Sequence, residues 1–211
     1  MSTGTSNRGT AQSSREHINA LRAAQAIKET RQQLRIRLTW LVVTVAVVGI
    51  VVAMMLTSRQ ETSSAIKVAP DFTLTDTSGA SVSLASYRGK DVLLYFSEGA
   101  GCQACLIQMG QIEQDPAFAA AGLTVLPIVM NSKEQITADM AANGVRTPFL
   151  LDDGTVSTEY GTIGKGMHAG LPGHSFVLID KTGKQRWYGE YPSMWLSTED
   201  LLQEVSAHLS S

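Results

Sequence analysis

From Leu38 to Leu56 the chain reads LTWLVVTVAVVGIVVAMML, nineteen residues without a charge. As a helix this run would be about 28 Å long, close to the roughly 30 Å hydrocarbon thickness of a bilayer. Helices in soluble cores rarely carry apolar residues on every face over such a length. Trp40 and Arg59 stand where interfacial anchors belong. A cleaved signal peptide is the alternative. Against it, 37 residues precede the run, Met54-Met55-Leu56 ends it without a small-x-small site, and no cysteine directly follows to accept a lipid. The expectation is one uncleaved span over 38–56.

Charge sets its orientation. Residues 1–37 hold seven Lys/Arg against Glu16 and Glu29, whereas residues 60–211 hold nine basic and seventeen acidic side chains. The positive-inside rule keeps the basic tail cytoplasmic and sends the rest outside. Within that tail the first fourteen residues are rich in Ser, Thr, Gly and Asn and read as disordered. Residues 15–37 are strong helix formers. Residues 57–68 read as a polar linker, and residues 69–211 as one extracytoplasmic domain of a cell envelope. A formal net charge of −2 excludes a broadly basic nucleic-acid binder, and two cysteines exclude a disulfide framework or a four-cysteine zinc module.

Within 69–211 the pattern alternates. Asp71–Leu74, then Ser78-Gly79 and Val82–Leu84, predict a short hairpin. Val92–Phe96 is a continuous apolar run of strand length, which suits a central strand buried on both faces. After Gly99-Ala100-Gly101, helical spacing of Cys105, Met109 and Ile112 predicts a helix from about Cys102 to Gln114. Leu123–Met130 predicts a second buried strand. Ser132 and Gln135 can form a capping box that opens a helix through Ala142. A short strand at Pro148–Leu151, a helical turn at Val156–Tyr160, a hairpin of Phe176–Ile179 with Gln185–Tyr188, and a last helix Thr198–Leu209 complete an α/β layer pattern.

The only two cysteines, Cys102 and Cys105, stand three apart between that strand and that helix. There Cys102 falls at or near the helix N-cap, where free N–H groups and the helix dipole stabilise a thiolate. Cys105 lies one turn on, within reach of a small disulfide ring. A nucleophilic thiolate beside a resolving thiol is what disulfide exchange requires. A structural zinc site, a static disulfide, and a copper site formed by both thiolates with a histidine are the alternatives.

These pieces together resemble the membrane-anchored redoxins of the thioredoxin fold, where thiol–disulfide interchange proteins meet the alkyl hydroperoxide reductase/thiol-specific antioxidant group, the peroxiredoxin-like proteins. The resemblance covers roughly 69–205. It is carried by Ala69–Leu74, Tyr87–Lys90, Leu93–Cys105, Thr147–Asp152, and His174–Asp180 with Gly183. It implies a central mixed sheet flanked by helices, Cys102 as nucleophile, Cys105 as resolving thiol, and no organic cofactor. It also implies a cis-proline loop opposite the dithiol. Pro172 is the candidate, four residues before Phe176 where many interchange proteins have three; a plain turn proline is the equal alternative.

Peroxidatic members resemble one another in a Thr or Ser three residues before the reactive cysteine and an Arg near the later strand, both orienting peroxide. Here those positions are Gly99 and Gly173. The expectation is therefore a dithiol–disulfide oxidoreductase that serves exported thiol or disulfide proteins and draws on a membrane or extracytoplasmic electron donor. A thiol peroxidase is the alternative, and a Cu(I)-delivery protein using His174 or His168 the second alternative. Glu98, if close, would raise the thiol pKa. His174 would line the dithiol pocket. Trp187, Tyr188, Tyr191 and Trp195 read as core or edge packing.

Overall fold

The computed structural model describes residues 37–52 and 62–210. Residues 37–52 form a helix, α1, all of whose residues are exposed. Among the described residues no helix is long and apolar enough to cross a membrane. The last four residues of the expected span and the disordered-then-helical reading of residues 1–36 lie outside the described residues.

The domain is one nine-stranded mixed sheet. Its strands are β1 (Thr62–Ser63), β2 (Lys67–Val68), β3 (Thr73–Asp76), β4 (Ser81–Ser83), β5 (Asp91–Phe96), β6 (Leu123–Val129), β7 (Leu150–Leu151), β8 (Ser175–Ile179) and β9 (Lys184–Glu190). They lie in the order β1-β9-β8-β5-β6-β7-β3-β4, with β2 also on β9. β5 runs parallel to β6 and antiparallel to β8. The helices are α2 (Gln103–Gln114), α3 (Pro116–Ala120), α4 (Lys133–Ala142), α5 (Thr155–Glu159) and α6 (Thr198–Leu209), with a 3-10 turn at Leu84–Tyr87. The sheet with helices on both faces is the thioredoxin-like arrangement expected.

The apolar run of β5 is explained by its place in the middle. Leu93 and Tyr95 point into one core, with Leu106, Met109, Phe118, Ile136, Leu201 and Val205 from α2, α3, α4 and α6. Val92, Leu94 and Phe96 point into the other, with Leu84, Val156 and Tyr160. A strand covered on both faces has no polar side to show. The capping box forms as expected, Gln135 N–H donating to Ser132 Oγ and Ser132 N–H to Gln135 Oε1.

Three expectations need correction. Residues 62–63 and 67–68 of the supposed linker are strands on the outer edge of β9, held by backbone pairing while their side chains stay exposed. The strand at 148–151 shortens to Leu150–Leu151 because Pro148 has no N–H to give a ladder. The segment Pro116–Ala120 is an additional helix, capped by Asp115, whose carboxylate accepts the Ala117 N–H.

Candidate active site

The site is built at the end of β5, where the chain turns into α2. Gly99 (φ 72°) and Gly101 (φ 87°) take left-handed conformations that favour glycine. The turn is tied to the β6–α4 side. Ala100 N–H donates to Asn131 Oδ1 at 2.9 Å and Gly101 N–H to Asp139 Oδ2 at 2.8 Å. Cys102 N–H donates to the Gly99 carbonyl at 3.0 Å. The three amides leading into the dithiol are thus all taken by protein acceptors.

Cys102 is the N-cap of α2, and its sulfur accepts the Cys105 N–H at 3.3 Å. Cys102 and Cys105 are joined as a disulfide with Cα atoms 5.3 Å apart. Cys102 is 6% exposed and Cys105 fully buried, so only the N-terminal sulfur is near the surface.

Behind the dithiol lies a buried polar chain. Tyr95 donates its hydroxyl proton to the Cys105 carbonyl at 3.2 Å and lies 3.2 Å from His174 Nδ1. Its ring stacks on Phe176 with centroids 4.8 Å apart. His174 is fully buried, its ring edge-on to both Tyr95 and Phe176. Burial holds its pKa down at about 3, so the imidazole is neutral. Burial also pushes the Tyr95 phenol well above 10, opposed by Ser97, so Tyr95 stays a donor. The antiparallel register places this pair: Tyr95 opposes Phe176 and Phe96 opposes Ser175, which brings His174 to the dithiol end of the sheet.

The remaining sequence candidates sort differently. Glu98 is 2% exposed, and both its oxygens are engaged by His168, through backbone N–H to Oε1 at 3.0 Å and Nδ1 to Oε2 at 2.7 Å. Among the described residues no group of three His, Cys, Asp or Glu is placed to hold a metal ion. His168 and His174 thus do not complete a copper site with the sulfurs. Every described peptide bond is trans, Pro172's included. Of the two readings of Pro172, the trans bond is that of a plain turn proline; the residue is buried and bridges Ile163 in an isolated antiparallel pair. Trp187 and Tyr191 are core residues, whereas Trp195 is 38% exposed. No local pattern marks Asn131 and Asp139, because their role depends on how close β6 and α4 come to the turn.

A Cβ at Gly99 would meet Asn131 Oδ1, and Val129 Cγ1 at 2.8 Å. A Cβ at Gly173 would meet the Lys165 carbonyl, and Lys165 Cβ at 2.7 Å. Neither position has room for the side chain that peroxide-orienting members of the family carry there.

A thioredoxin-like sheet that holds a buried CxxC disulfide at a helix N-cap defines a thiol-based redoxin. The chain belongs to the AhpC/TSA family, whose model matches residues 66–188, more than half of the chain. It is 37% identical over 122 residues to a "Putative peroxiredoxin" of Mycobacterium tuberculosis, a match covering 55% of this chain and 78% of that one. Among solved structures it resembles a "putative protein disulfide isomerase" of Bacteroides thetaiotaomicron. That likeness has a TM-score of 0.54 and 29% identity, and covers 69% of this chain and 89% of the other. It also shares its fold with peroxidoxin BcpB of Mycobacterium tuberculosis, with a TM-score of 0.55 and 21% identity over 68% of this chain and 94% of that one.

Proposed function

We propose that this redoxin is a dithiol–disulfide oxidoreductase acting on other thiol or disulfide proteins. The observation that carries the reading is the pairing of Cys102 with Cys105 at the α2 N-cap beside two glycines that leave no room for peroxide-orienting side chains. In the reducing direction, the Cys102 thiolate attacks a partner disulfide, forming a mixed disulfide and releasing one partner thiolate. The Cys105 thiolate then attacks Cys102 Sγ, releasing the second partner thiol and closing the Cys102–Cys105 bond. Two electrons pass to the partner, and a dithiol donor restores the reduced pair. Each step runs equally in reverse, with the potential deciding the direction. The loop that carries Pro172, two residues ahead of His174, presents the partner's backbone.

A second reading, thiol peroxidase, is favoured by the names of the relatives, with a mycobacterial peroxiredoxin at 37% identity foremost. In it the Cys102 thiolate attacks a hydroperoxide oxygen, breaking the O–O bond and releasing an alcohol or water as it becomes a sulfenic acid, which then loses water as the Cys105 thiol closes the same disulfide. The nineteen uncharged residues of 38–56 support an anchored form with the redoxin domain outside the membrane.

The test is paired. Cys105→Ser is expected to trap partner proteins on Cys102 as mixed disulfides, while reduced wild-type protein consumes hydroperoxide no faster than a small-molecule dithiol. Rapid peroxide consumption, with a sulfenic acid accumulating on the Cys105→Ser protein, would put the peroxidase reading first.

A further inference from the structure

We propose that His174 is a positioning residue for the dithiol, acting through Tyr95 on the first turn of α2. The proposal rests on the dithiol reading of this site, whichever substrate it serves.

The hydrogen-bond assignment is forced by counting protons. The Cys105 carbonyl can only accept, so the single hydroxyl proton of Tyr95 goes to it. The 3.2 Å contact between Tyr95 Oη and His174 Nδ1 then needs a proton on Nδ1. The chain reads His174 Nδ1–H to Tyr95 Oη–H to the Cys105 carbonyl. His174 Nε2 is left as a buried lone pair without a hydrogen-bond partner. Leaving a buried acceptor unsatisfied is costly. The one polar contact the imidazole makes is through its other nitrogen, to Tyr95.

What that nitrogen does follows from the two ends of Cys105. The backbone N–H of this residue touches Cys102 Sγ at 3.3 Å, while its carbonyl is held by Tyr95 at 3.2 Å. One residue thus links the buried pair to the attacking sulfur. Holding the carbonyl fixes the Cys105–Leu106 peptide, whose own N–H donates to the Cys102 carbonyl at 3.3 Å, and through the Cys105 Cα it restrains the N–H that faces Cys102 Sγ; a donor to a thiolate lowers the thiol pKa. His174 itself is fixed by its neighbours. Its carbonyl accepts the Tyr191 N–H at 2.8 Å, and its ring is edge-on to Tyr95 and Phe176. The imidazole cannot turn away, and so neither can the hydroxyl it orients.

The experiment measures the dithiol itself, without substrate, on the full chain. Thiolate absorbance against pH gives the Cys102 pKa, and equilibration in dithiothreitol or glutathione buffers gives the thiol–disulfide equilibrium constant. Tyr95→Phe keeps the ring and removes the hydroxyl. It is expected to raise the Cys102 pKa and shift the equilibrium toward the disulfide by three- to tenfold. His174→Phe should do the same, and His174→Asn, which offers an amide donor in place of Nδ1–H, should recover most of the shift. On a Tyr95→Phe background the His174 substitutions should have no further effect on either quantity. Folded Tyr95→Phe protein with an unchanged thiol pKa and equilibrium constant overturns the proposal, as do additive effects of the two sites. A wild-type pair that no buffer reduces sinks the dithiol reading and this inference together. A wild-type pair that cycles while the variants match it sinks the inference alone.

Discussion

The backbone N–H of Gly101 donates to a carboxylate oxygen of Asp139 at 2.8 Å, so an acidic side chain from α4 stands one residue ahead of Cys102. The bond fixes the turn, but the charge opposes a thiolate on the neighbouring sulfur. Asp139→Asn keeps an acceptor for the N–H and removes the charge. The Cys102 thiol pKa is expected to fall by about half a unit to one unit, with a matching shift of the couple toward a stronger oxidant. Titrating the reduced variant by alkylation rate against pH checks it. A rise in pKa would mean that loosening of the turn outweighs the lost charge.

Glu113 joins the far end of α2 to the segment that leads into β7. It accepts the backbone N–H groups of Arg146 and Thr147 at 2.9 Å each, with the Arg146 guanidinium and the Thr147 hydroxyl at 3.0 Å. Burial pushes this carboxyl up, but those donors outweigh it and hold the pKa at about 2. The folded value lies below the unfolded one, so the stabilisation is complete above about pH 4.5 and fades as pH falls toward 2. Glu113→Gln is expected to cost about 2 kcal/mol at neutral pH and much less near pH 2. Urea midpoints across that range would show it; a loss that does not depend on pH would assign the effect to packing instead.

His174 gives a second acid-sensitive term in a different window. With a folded pKa of about 3, an unfolded chain takes up the proton first as pH falls below the ordinary value near 6.5. The stabilisation is therefore present above about 6.5 and is lost progressively toward 3. Between pH 6.5 and 5 the wild type should lose about 1.5–2 kcal/mol more than His174→Asn does. His168 and His208 are common to both proteins and cancel in the comparison. Equal slopes for the two proteins would show that the imidazole already protonates in the folded state.

How much of this was legible follows from what each element depends on. The strand–turn–helix around the dithiol, the Ser132 capping box and the β3–β4 and β8–β9 hairpins all rest on local signals: apolar runs, cap spacing and turn glycines. β1 and β2 look like linker in sequence because they join the sheet only through backbone bonds to β9 and bury no side chain. α3 has a single buried apolar residue, Phe118, which gives no periodicity to find. Position in the chain alone brings His174 near the dithiol. Its bond to Tyr95 depends on the register of β8 on β5, which no single strand encodes. The same holds for Gln108, a buried polar residue of α2 whose side-chain oxygen accepts the Leu196 N–H at 2.9 Å.

The two glycines at the peroxide-orienting positions allow a direct test of why the site differs from a peroxidase. Gly99→Thr and Gly173→Arg would place back the hydroxyl and guanidinium that peroxidatic relatives carry. Restoring the residue types is not expected to restore the activity. A Cβ at Gly99 meets Asn131 and Val129 and stands on a φ of 72°, and one at Gly173 meets Lys165. Overpacking of this kind costs about 1–3 kcal/mol per site, with backbone strain of about 1–2 kcal/mol added at Gly99. At Gly99 the displaced groups include the Asn131 acceptor that holds Ala100, so the turn before Cys102 should also loosen. The double variant is expected to melt several degrees lower and to consume hydroperoxide no faster than wild type. A gain of tenfold or more in peroxide consumption would show that the loop 161–173 and Asn131 yield readily. The glycines, and not the shape of the site, would then be what separates this protein from a peroxidase.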